Sequence, residues 1–401
     1  MCAIAPFPAL CQQNMAGMND ASMYLMGLAS GTSANPASAP LPMIMTQFGQ
    51  WNAMFMGTAF VSDIQQSGPR GGAKLYSTNW LMASAGHAAG AKGAFETDLM
   101  LSLEPATITG RRYPLLFQTG ETAYGIPLID AQHPHNFIMA LGFHYVYQLG
   151  ENTTLDAYAA PVGDPALGPV AYPHRASAAE LPEAPISHHW QDSTHIADDV
   201  VTLGLSHKKF KLEASGFHGA EPGENRWIIQ AGPIDSWATR LWFFPGGNWA
   251  AQVSAGRIAH PEALEGGDQV RTTASLHYSK PMQGAAWASS LIWGRNHSTA
   301  TFRNLNSYLA ESALPIRGRN WITARLEWVD KDELFTVYDG TFRIGAYTAG
   351  YTRDIDLFRH IQTGVGANFS AYSLPDAIKG YYGNHPLGGN IFVRLRLRPA
   401  P

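Results

Sequence analysis

The sequence predicts an all-β protein, a closed transmembrane antiparallel β-barrel of about sixteen strands, with roughly fourteen to eighteen compatible with the pattern. Two observations lead to this class. Apolar and polar side chains alternate along many segments of the chain, and the connections between these segments alternate between short and long. A third observation excludes helical spans, because the sequence contains no run of about eighteen apolar residues.

The alternation has the period of a β-strand. In 268–278, Val270 and Leu276 fall on one face, whereas Arg271 and His277 fall on the other. The same pattern recurs in 94–104, 320–328 and 391–398. A period of two places successive side chains on opposite faces of a sheet. Most of these segments run about ten to fourteen residues, which is enough for a tilted strand to cross a bilayer.

The connections decide between a barrel and a sandwich. Predicted strands begin near residues 49, 73, 93, 137, 152, 197, 209, 233, 247, 268, 284, 303, 318, 339, 356 and 388. Short joints such as 89–92 alternate with long ones such as 104–136 and 163–196. A membrane barrel with short periplasmic turns and long outer loops requires this parity. A water-soluble all-β protein, with the charged face outside, remains an alternative, although so many long strands would make an unusually large sheet.

Composition and charge narrow the partners. The chain has 401 residues, of which 45% are hydrophobic and 14% charged, and its formal net charge is −4. Such a mild charge gives no reason to expect a nucleic-acid partner. Trp and Tyr near predicted strand ends, such as Trp51, Trp249 and Trp328, are typical of interface girdles. We therefore expect a bacterial outer-membrane location, with membrane lipid as a partner.

Three regions are predicted along the chain. Residues 1–11, with Cys2 and Cys11, are interpreted as the remnant of a secretory leader. Residues 12–48 are predicted to be a methionine-rich flexible arm, and residues 49–401 form the barrel with loops 104–136 and 163–196 folded inward. The methionines of the arm have two interpretations: ligands for soft Cu(I) or adaptable apolar filler.

Histidines concentrate in the two long loops. Loop 163–196 is rich in proline and has neither strand nor long-helix character, and long loops of this kind are usually functional. The candidate metal ligands of the two loops are His133, His135, His174, His188, His189, His195, Asp130 and Asp192. Imidazole and carboxylate suit Zn²⁺ or Cu²⁺, so a Cu or Zn ion is the one candidate cofactor. The alternative is that these histidines make structural hydrogen bonds that hold the loops inside the barrel.

The predicted strand order brings two of these histidines near one another. His135 lies just before the fourth predicted strand, and His195 just before the sixth. Strands two places apart lie about 10 Å apart. We therefore expect His133, His135, His174 and at least one of His188, His189 and His195 to converge at the outer mouth of the barrel.

Charged residues on the polar face of the strands are predicted to line the lumen. They are Glu96, Asp98, Lys211, Glu213, Arg271, His277, Arg325, Glu327, His360, Arg394 and Arg396. Both signs are present, so no strong ion preference follows. The predicted function is a porin-like passage or binding protein for metal ions or small solutes. The alternative is a plugged structural or lipolytic barrel without transport.

Motifs of catalysis are missing from the sequence. It contains no GxSxG, P-loop or dinucleotide fingerprint, and Ser275 beside His277 in one strand is not a triad. We therefore predict no catalytic residues and no enzymatic activity.

Several runs carry a resemblance to a known family. Segments 102–109, 113–121, 132–135, 163–175 and 188–195 resemble an uncharacterised family of bacterial outer-membrane β-barrel proteins, over about residues 45 to 400. The resemblance implies a barrel inserted by the barrel assembly machinery but no particular activity. A methionine-rich arm before a barrel is also similar in architecture to copper-resistance outer-membrane proteins, which would imply heavy-metal handling. Outer-membrane barrels usually end on an aromatic residue, and here the nearest aromatic to the end is Phe392.

Overall fold

The computed structural model of the chain describes residues 18–38, 41–264, 266–282, 285–337, 340–355 and 357–399. Sixteen antiparallel strands form one closed barrel, so the predicted fold class is confirmed. The strands in chain order are β1 (Ile44–Phe48), β2 (Trp51–Gln66), β3 (Gly72–Ala89), β4 (Gly93–Leu101), β5 (Tyr113–Ala123), β6 (Ile126–Gln132), β7 (Ile138–Gly150), β8 (Thr153–Gly163), β9 (Ala197–His207), β10 (Phe210–His218), β11 (Ser236–Gly246), β12 (Trp249–Ile258), β13 (Gln269–Met282), β14 (Ala285–Ser298), β15 (Asn304–Ile316), β16 (Asn320–Lys331), β17 (Phe342–Ile355), β18 (Ile361–Ser373) and β19 (Leu387–Leu397).

Helical structure is confined to short segments. The α-helices are α1 (Asp20–Met26), α2 (Glu104–Thr107), α3 (His188–Gln191) and α4 (Asp376–Tyr382), and single 3₁₀ turns cover Thr109–Arg111, Tyr172–His174 and Ser193–Ile196. Within the described ranges, no helix has the length and apolar character that a membrane span requires.

The barrel closes between its last and first long strands. Strand β19 pairs with β2, with Val393 opposite Val61, and every other barrel strand pairs with its neighbours along the chain. Strand β1 forms a short hairpin with β2, and β5 with β6 makes a separate two-stranded sheet. Since β5 and β6 lie between barrel strands β4 and β7, this hairpin belongs to the long loop 102–137.

The polar face of the barrel is the buried one. On β13, Val270 and Leu276 are each 38% exposed, whereas Arg271 and His277 are 1% and 2% exposed. This distribution is the reverse of that in a water-soluble sandwich, where apolar side chains fill the core. The apolar outer surface suits lipid, so the charged face is the lumen and the soluble alternative is wrong.

The lumen is filled by polypeptide. The loop 164–196 runs through it and is buried along nearly its whole length. Glu180 accepts ion pairs from Arg394 and Arg396 of the wall. On another side of the wall, Glu311 accepts from Arg175 Nε at 2.6 Å. These buried pairs attach the loop to two parts of the barrel wall, at β15 and at β19.

The N-terminal segment also lies inside the barrel. Helix α1 buries Ala21 and Leu25 against Ala94 and Val146 of the wall. Further along, Thr32 accepts a hydrogen bond from Lys211 Nζ at 2.8 Å. The prediction of a flexible arm is therefore wrong for residues 18–38, because its small and apolar side chains find partners in the lumen. Residues 1–17, which include the predicted leader remnant 1–11, lie outside the described residues.

The structure corrects one predicted lumen residue. Strand β18 begins at Ile361, so His360 lies in the turn before it, where it is exposed. Its carbonyl oxygen accepts from the Arg398 N–H at 3.1 Å. The polar face of the strands carries the remaining predicted lumen residues: Glu96, Asp98, Lys211, Glu213, Arg271, His277, Arg325, Glu327, Arg394 and Arg396.

Candidate functional site

Five imidazole rings from the two long loops meet inside the barrel. We call His133, His135, His188, His189 and His195 the histidine cluster. His188 lies at its centre, with ring centroids 5.2 Å from those of both His189 and His195. His195 lies 5.5 Å from His135, and His189 lies 5.8 Å from His133. All five side chains are buried.

The residues 133–135 are held by a carboxylate and by their own backbone. Glu104, in α2, accepts the His135 N–H at 2.8 Å and faces His135 Nδ1 at 3.0 Å. His133 Nδ1 faces the Pro134 carbonyl oxygen at 3.1 Å. Because a carbonyl or a carboxylate can only accept, both Nδ1 atoms carry the proton in these contacts. The Nε2 atoms are consequently the acceptor atoms of these two rings.

Asp192 orients the other half of the cluster. Its Oδ1 faces His188 Nδ1 at 2.6 Å, and its carbonyl oxygen faces His195 Nδ1 at 2.7 Å. Its Oδ2 accepts from Arg175 Nη1 at 3.0 Å and from the Tyr172 N–H at 2.8 Å. Asp192 therefore fixes the orientation of the His188 and His195 rings through their Nδ1 atoms.

Burial keeps the imidazoles neutral. Removal from water lowers the pKa of His188 to about 4 against the opposing pull of Asp192. Burial, together with neighbouring histidines, also holds the pKa of His133 and of His195 well below the usual range. Burial alone would raise the pKa of Asp192, but His188 and Arg175 bring it below its ordinary value. At neutral pH these three rings are neutral, the form that binds metal ions.

Only some of the Nε2 atoms in the histidine cluster have hydrogen-bond partners. His195 Nε2 makes no hydrogen bond to the described residues. His133 Nε2 lies 3.1 Å from Glu121 Oε1 but without hydrogen-bond geometry. His135 Nε2 is within 3.1 Å of the Tyr172 hydroxyl, which donates to it. Buried polar atoms without partners are unusual in folded proteins and mark a place where a ligand would be favourable.

Two of the predicted ligands lie elsewhere. His174 stacks on Trp80, with ring centroids 4.6 Å apart, and its Nε2 lies 3.2 Å from Met100 Sδ. Asp130 accepts from Arg70 Nε at 2.6 Å and from the Phe117 N–H at 2.8 Å. The expectation that His174 converges with the other histidines is therefore wrong, because His174 is held by its own partners. Asp130, a candidate ligand, also lies apart from the histidine cluster.

The sequence did not indicate that two further carboxylates could take part in a metal site. Ligand atoms of His189, Glu221 and Glu262 lie within 4.8 Å of one another, the one such group of three among the described residues. Glu221 and Glu262 belong to the loops that follow β10 and β12. Neither loop carries a recognisable metal motif, and only the barrel closure brings them to His189.

The comparisons with known proteins agree with the architecture. No protein-family model matches the sequence, and no curated protein matches it. The structure is similar to an anion-selective porin from Comamonas acidovorans, with 12% identity, a TM-score of 0.54 and coverage of 86% of this chain and 100% of that one. It is also similar to OmpF of Salmonella typhi in complex with daunomycin, with 8% identity, a TM-score of 0.56 and coverage of 88% and 100%.

The chain folds as a closed β-barrel of the kind that these outer-membrane proteins have. At these identities the likeness concerns the fold alone. The resemblance to copper-resistance proteins stays a prediction, as do the metal-binding roles of the histidines.

Proposed function

We propose that this outer-membrane barrel is a porin-like protein that binds a divalent transition-metal ion at the histidine cluster. The observation that carries the proposal is the common orientation of the rings. His133, His135, His188 and His195 each direct Nδ1 to a carbonyl or carboxylate oxygen. Metal-binding histidines almost always use one ring nitrogen in this way, which frees the other for the ion.

The chemistry of the donors selects the ion. Neutral imidazole suits Zn²⁺, Cu²⁺ and Ni²⁺, whereas Mg²⁺ and Ca²⁺ prefer oxygen donors. Glu104 and Asp192 add negative charge behind His135 and His188. This arrangement raises the basicity of the ligand nitrogens and offsets the charge of a buried cation.

Passage through the barrel would require the filling segments to move. Lumen residues such as Lys211 and Arg394 are 3% and 0% exposed, so the filling segments cover these parts of the wall. We propose that the histidine cluster binds the ion on the outer side and that displacement of residues 18–38 opens the inner side. The alternative, a plugged structural barrel without transport, is distinguished by conductance across a planar bilayer.

A lipolytic role has weaker support. Ser275 Oγ faces His277 Nε2 at 2.9 Å, but His277 Nδ1 faces Ser290 Oγ at 2.8 Å rather than a carboxylate. A hydrolytic triad needs an acidic group at that position and substrate access. Since the pair is buried in the filled lumen, we propose a non-catalytic protein.

A second candidate metal is Cu(I), which one contact favours. Met54, Met56, Met82, Met100 and Met139 pack together as buried side chains on the lumen wall. Met100 Sδ lies 3.2 Å from His174 Nε2, and thioether with imidazole suits a soft ion. If these wall methionines only fill space, Met100→Leu should leave Cu(I) affinity unchanged in a chelator competition. A tenfold or larger loss would support the copper interpretation.

Calorimetry tests the main proposal. We expect one Zn²⁺ to bind at the cluster of the purified barrel and a His133→Ala, His135→Ala, His195→Ala variant to lose this binding. The control replaces His260, whose side chain is 75% exposed, together with the exposed His360. Equal binding by the triple variant and the control would contradict the proposal, provided that both show the gel mobility of a folded barrel.

A further inference from the structure

Beside the histidine cluster lies a second group of donors, set at the inner end of a cavity. His189 Nδ1 lies 3.7 Å from Glu221 Oε1, and Glu262 completes a group whose ligand atoms fall within 4.8 Å of one another. Ligands of one tetrahedral Zn²⁺ are separated by about 3.3 Å, given bonds of about 2.0–2.1 Å. Small side-chain rotations would therefore bring these three groups onto one ion.

The His189 ring is buried without a hydrogen bond. Its side chain is 7% exposed, and neither ring nitrogen makes a hydrogen bond to the described residues. The ring lies directly over Gly120, where a Cβ would overlap it. Gly120 therefore leaves the space that the ring needs to face the two glutamates.

The backbone around the group is fixed. The His189 carbonyl oxygen accepts from Arg271 Nη2 at 2.7 Å and from Asn296 Nδ2 at 3.1 Å. The Glu221 N–H donates to the Pro261 carbonyl oxygen at 3.0 Å, which ties the two glutamate-bearing loops together. Arg271 directs its other donors to Ser193 Oγ and Asn296 Oδ1, each at 2.9 Å, and its charge also interacts with those of Glu221 and Glu262.

The cavity above the group is acidic and opens outward. It has a volume of about 380 Å³ and is lined by His189, Glu262, Arg303, Asp332, Glu333 and Val337, among others. We call it the acidic vestibule. Val337 at its rim is 97% exposed and belongs to the loop between β16 and β17, on the long-loop side. Three carboxylates against one guanidinium give the vestibule a negative charge, which concentrates cations.

We propose that His189, Glu221 and Glu262 form a divalent transition-metal site at the inner end of the acidic vestibule, through which the ion reaches the histidine cluster. Only the passage of the ion from the vestibule to the histidine cluster rests on the proposed function. One imidazole and two carboxylates suit Zn²⁺, with water completing the coordination. His189 belongs to the vestibule site and also to the histidine cluster, since its ring centroid lies 5.2 Å from that of His188 and 5.8 Å from that of His133.

Zn²⁺ calorimetry on the metal-stripped, detergent-extracted barrel tests the proposal. We expect Glu221→Gln, Glu262→Gln to remove one bound Zn²⁺ or to weaken its binding at least tenfold. Gly120→Ala should weaken the same binding, because its Cβ would overlap the His189 ring and because Gly120 has a φ of +109°, which alanine adopts only with strain. The control is Asp376→Asn, which replaces a side chain that is 94% exposed and pairs only with Lys379 in the described structure. Mg²⁺ at the same concentration should give no comparable heat.

A second variant separates the two proposals. His135→Gln, His195→Gln alters the histidine cluster and leaves the three vestibule ligands unchanged. If this variant keeps the vestibule binding while the glutamate variant loses it, the vestibule site stands without the cluster. If the glutamate variant binds Zn²⁺ as the wild type does, with its folded state verified by gel mobility, the vestibule site is wrong whatever happens at the cluster.

Discussion

The Tyr24 hydroxyl donates to Asp156 Oδ2 at 2.6 Å, and this contact joins the N-terminal segment to the barrel wall. Tyr24 also faces Ser206 Oγ at 3.1 Å, and Lys211 Nζ lies 5.4 Å from its ring. Asp156 and Ser206 belong to β8 and β9, near the short periplasmic turns. The segment is thus attached to the wall near the short turns, at the end opposite the long loops that carry the histidine cluster.

The first prediction concerns conductance. Deletion of residues 18–38 should raise the single-channel conductance of the barrel in a planar bilayer, because it removes the segment that fills the inner half of the lumen. Tyr24→Phe should increase how often openings occur while leaving their amplitude unchanged, since it removes only the anchoring hydrogen bonds. Silent bilayers with both variants, at normal insertion, would favour the plugged structural barrel.

The second prediction concerns pH. Burial, against the pull of Arg240 and Ser30, raises the pKa of Asp164 to about 7 from its ordinary value of 3.8. Asp192 and Glu213 are the acidic groups that raise it further. The folded state therefore holds the proton more tightly than the unfolded state. The resulting contribution to the free energy of unfolding is fully present below pH 3.8 and is lost as pH rises through about 7.

Urea unfolding between pH 4 and pH 8 measures this effect. Wild type should lose stability across the window, by up to about 1.4 kcal/mol per pH unit from this one group. Asp164→Asn removes the titration and keeps an acceptor for Ser30, whose hydroxyl donates to Asp164 Oδ2 at 2.6 Å. Identical pH profiles for wild type and Asp164→Asn would refute the assignment.

The third prediction concerns the buried ion pairs of the long loop. Glu180→Ala should destabilise the folded barrel by about 3–5 kcal/mol, because it leaves two buried guanidiniums short of a partner. These are Arg394, which keeps Asp354, and Arg396, which keeps the Ala179 carbonyl oxygen. The free energy of unfolding in urea is the measurement, and Asp376→Asn, an exposed carboxylate, should show no change. A loss no larger than that of the control would mean that the loop is held by packing alone.

The fourth prediction concerns a close approach between loop and wall. Gly294 on β14 faces the Trp190 carbonyl oxygen so closely that a Cβ would overlap it. Gly294→Ala should therefore displace α3, with a loss of about 1–3 kcal/mol typical of overpacking. Since α3 carries His188 and His189, the same variant should bind Zn²⁺ more weakly. Gly246→Ala, at a position with open space, is the matched control.

The sequence alone determined the barrel and which face of its strands points into the lumen. Apart from the closure between β19 and β2, each barrel strand pairs with the barrel strands next to it along the chain. Lipid outside and a polar lumen inside impose a period of two, so both features are local in the sequence. The same logic located His135 and His195 before strands two places apart, and the structure brings their rings to 5.5 Å. His360 was misplaced because the boundary of a strand is set by pairing rather than by the alternation alone.

Only the tertiary structure decided what fills the lumen. Residues 18–38 have the composition of a free arm, yet their partners Asp156 and Lys211 lie more than a hundred residues away in the chain. Glu221 and Glu262 likewise become candidate metal ligands only because the fold places them beside His189. The periodicity of the sequence does not reveal such contacts. Barrel closure brings distant loops together at one mouth, and the packing inside depends on shape and charge across the whole wall.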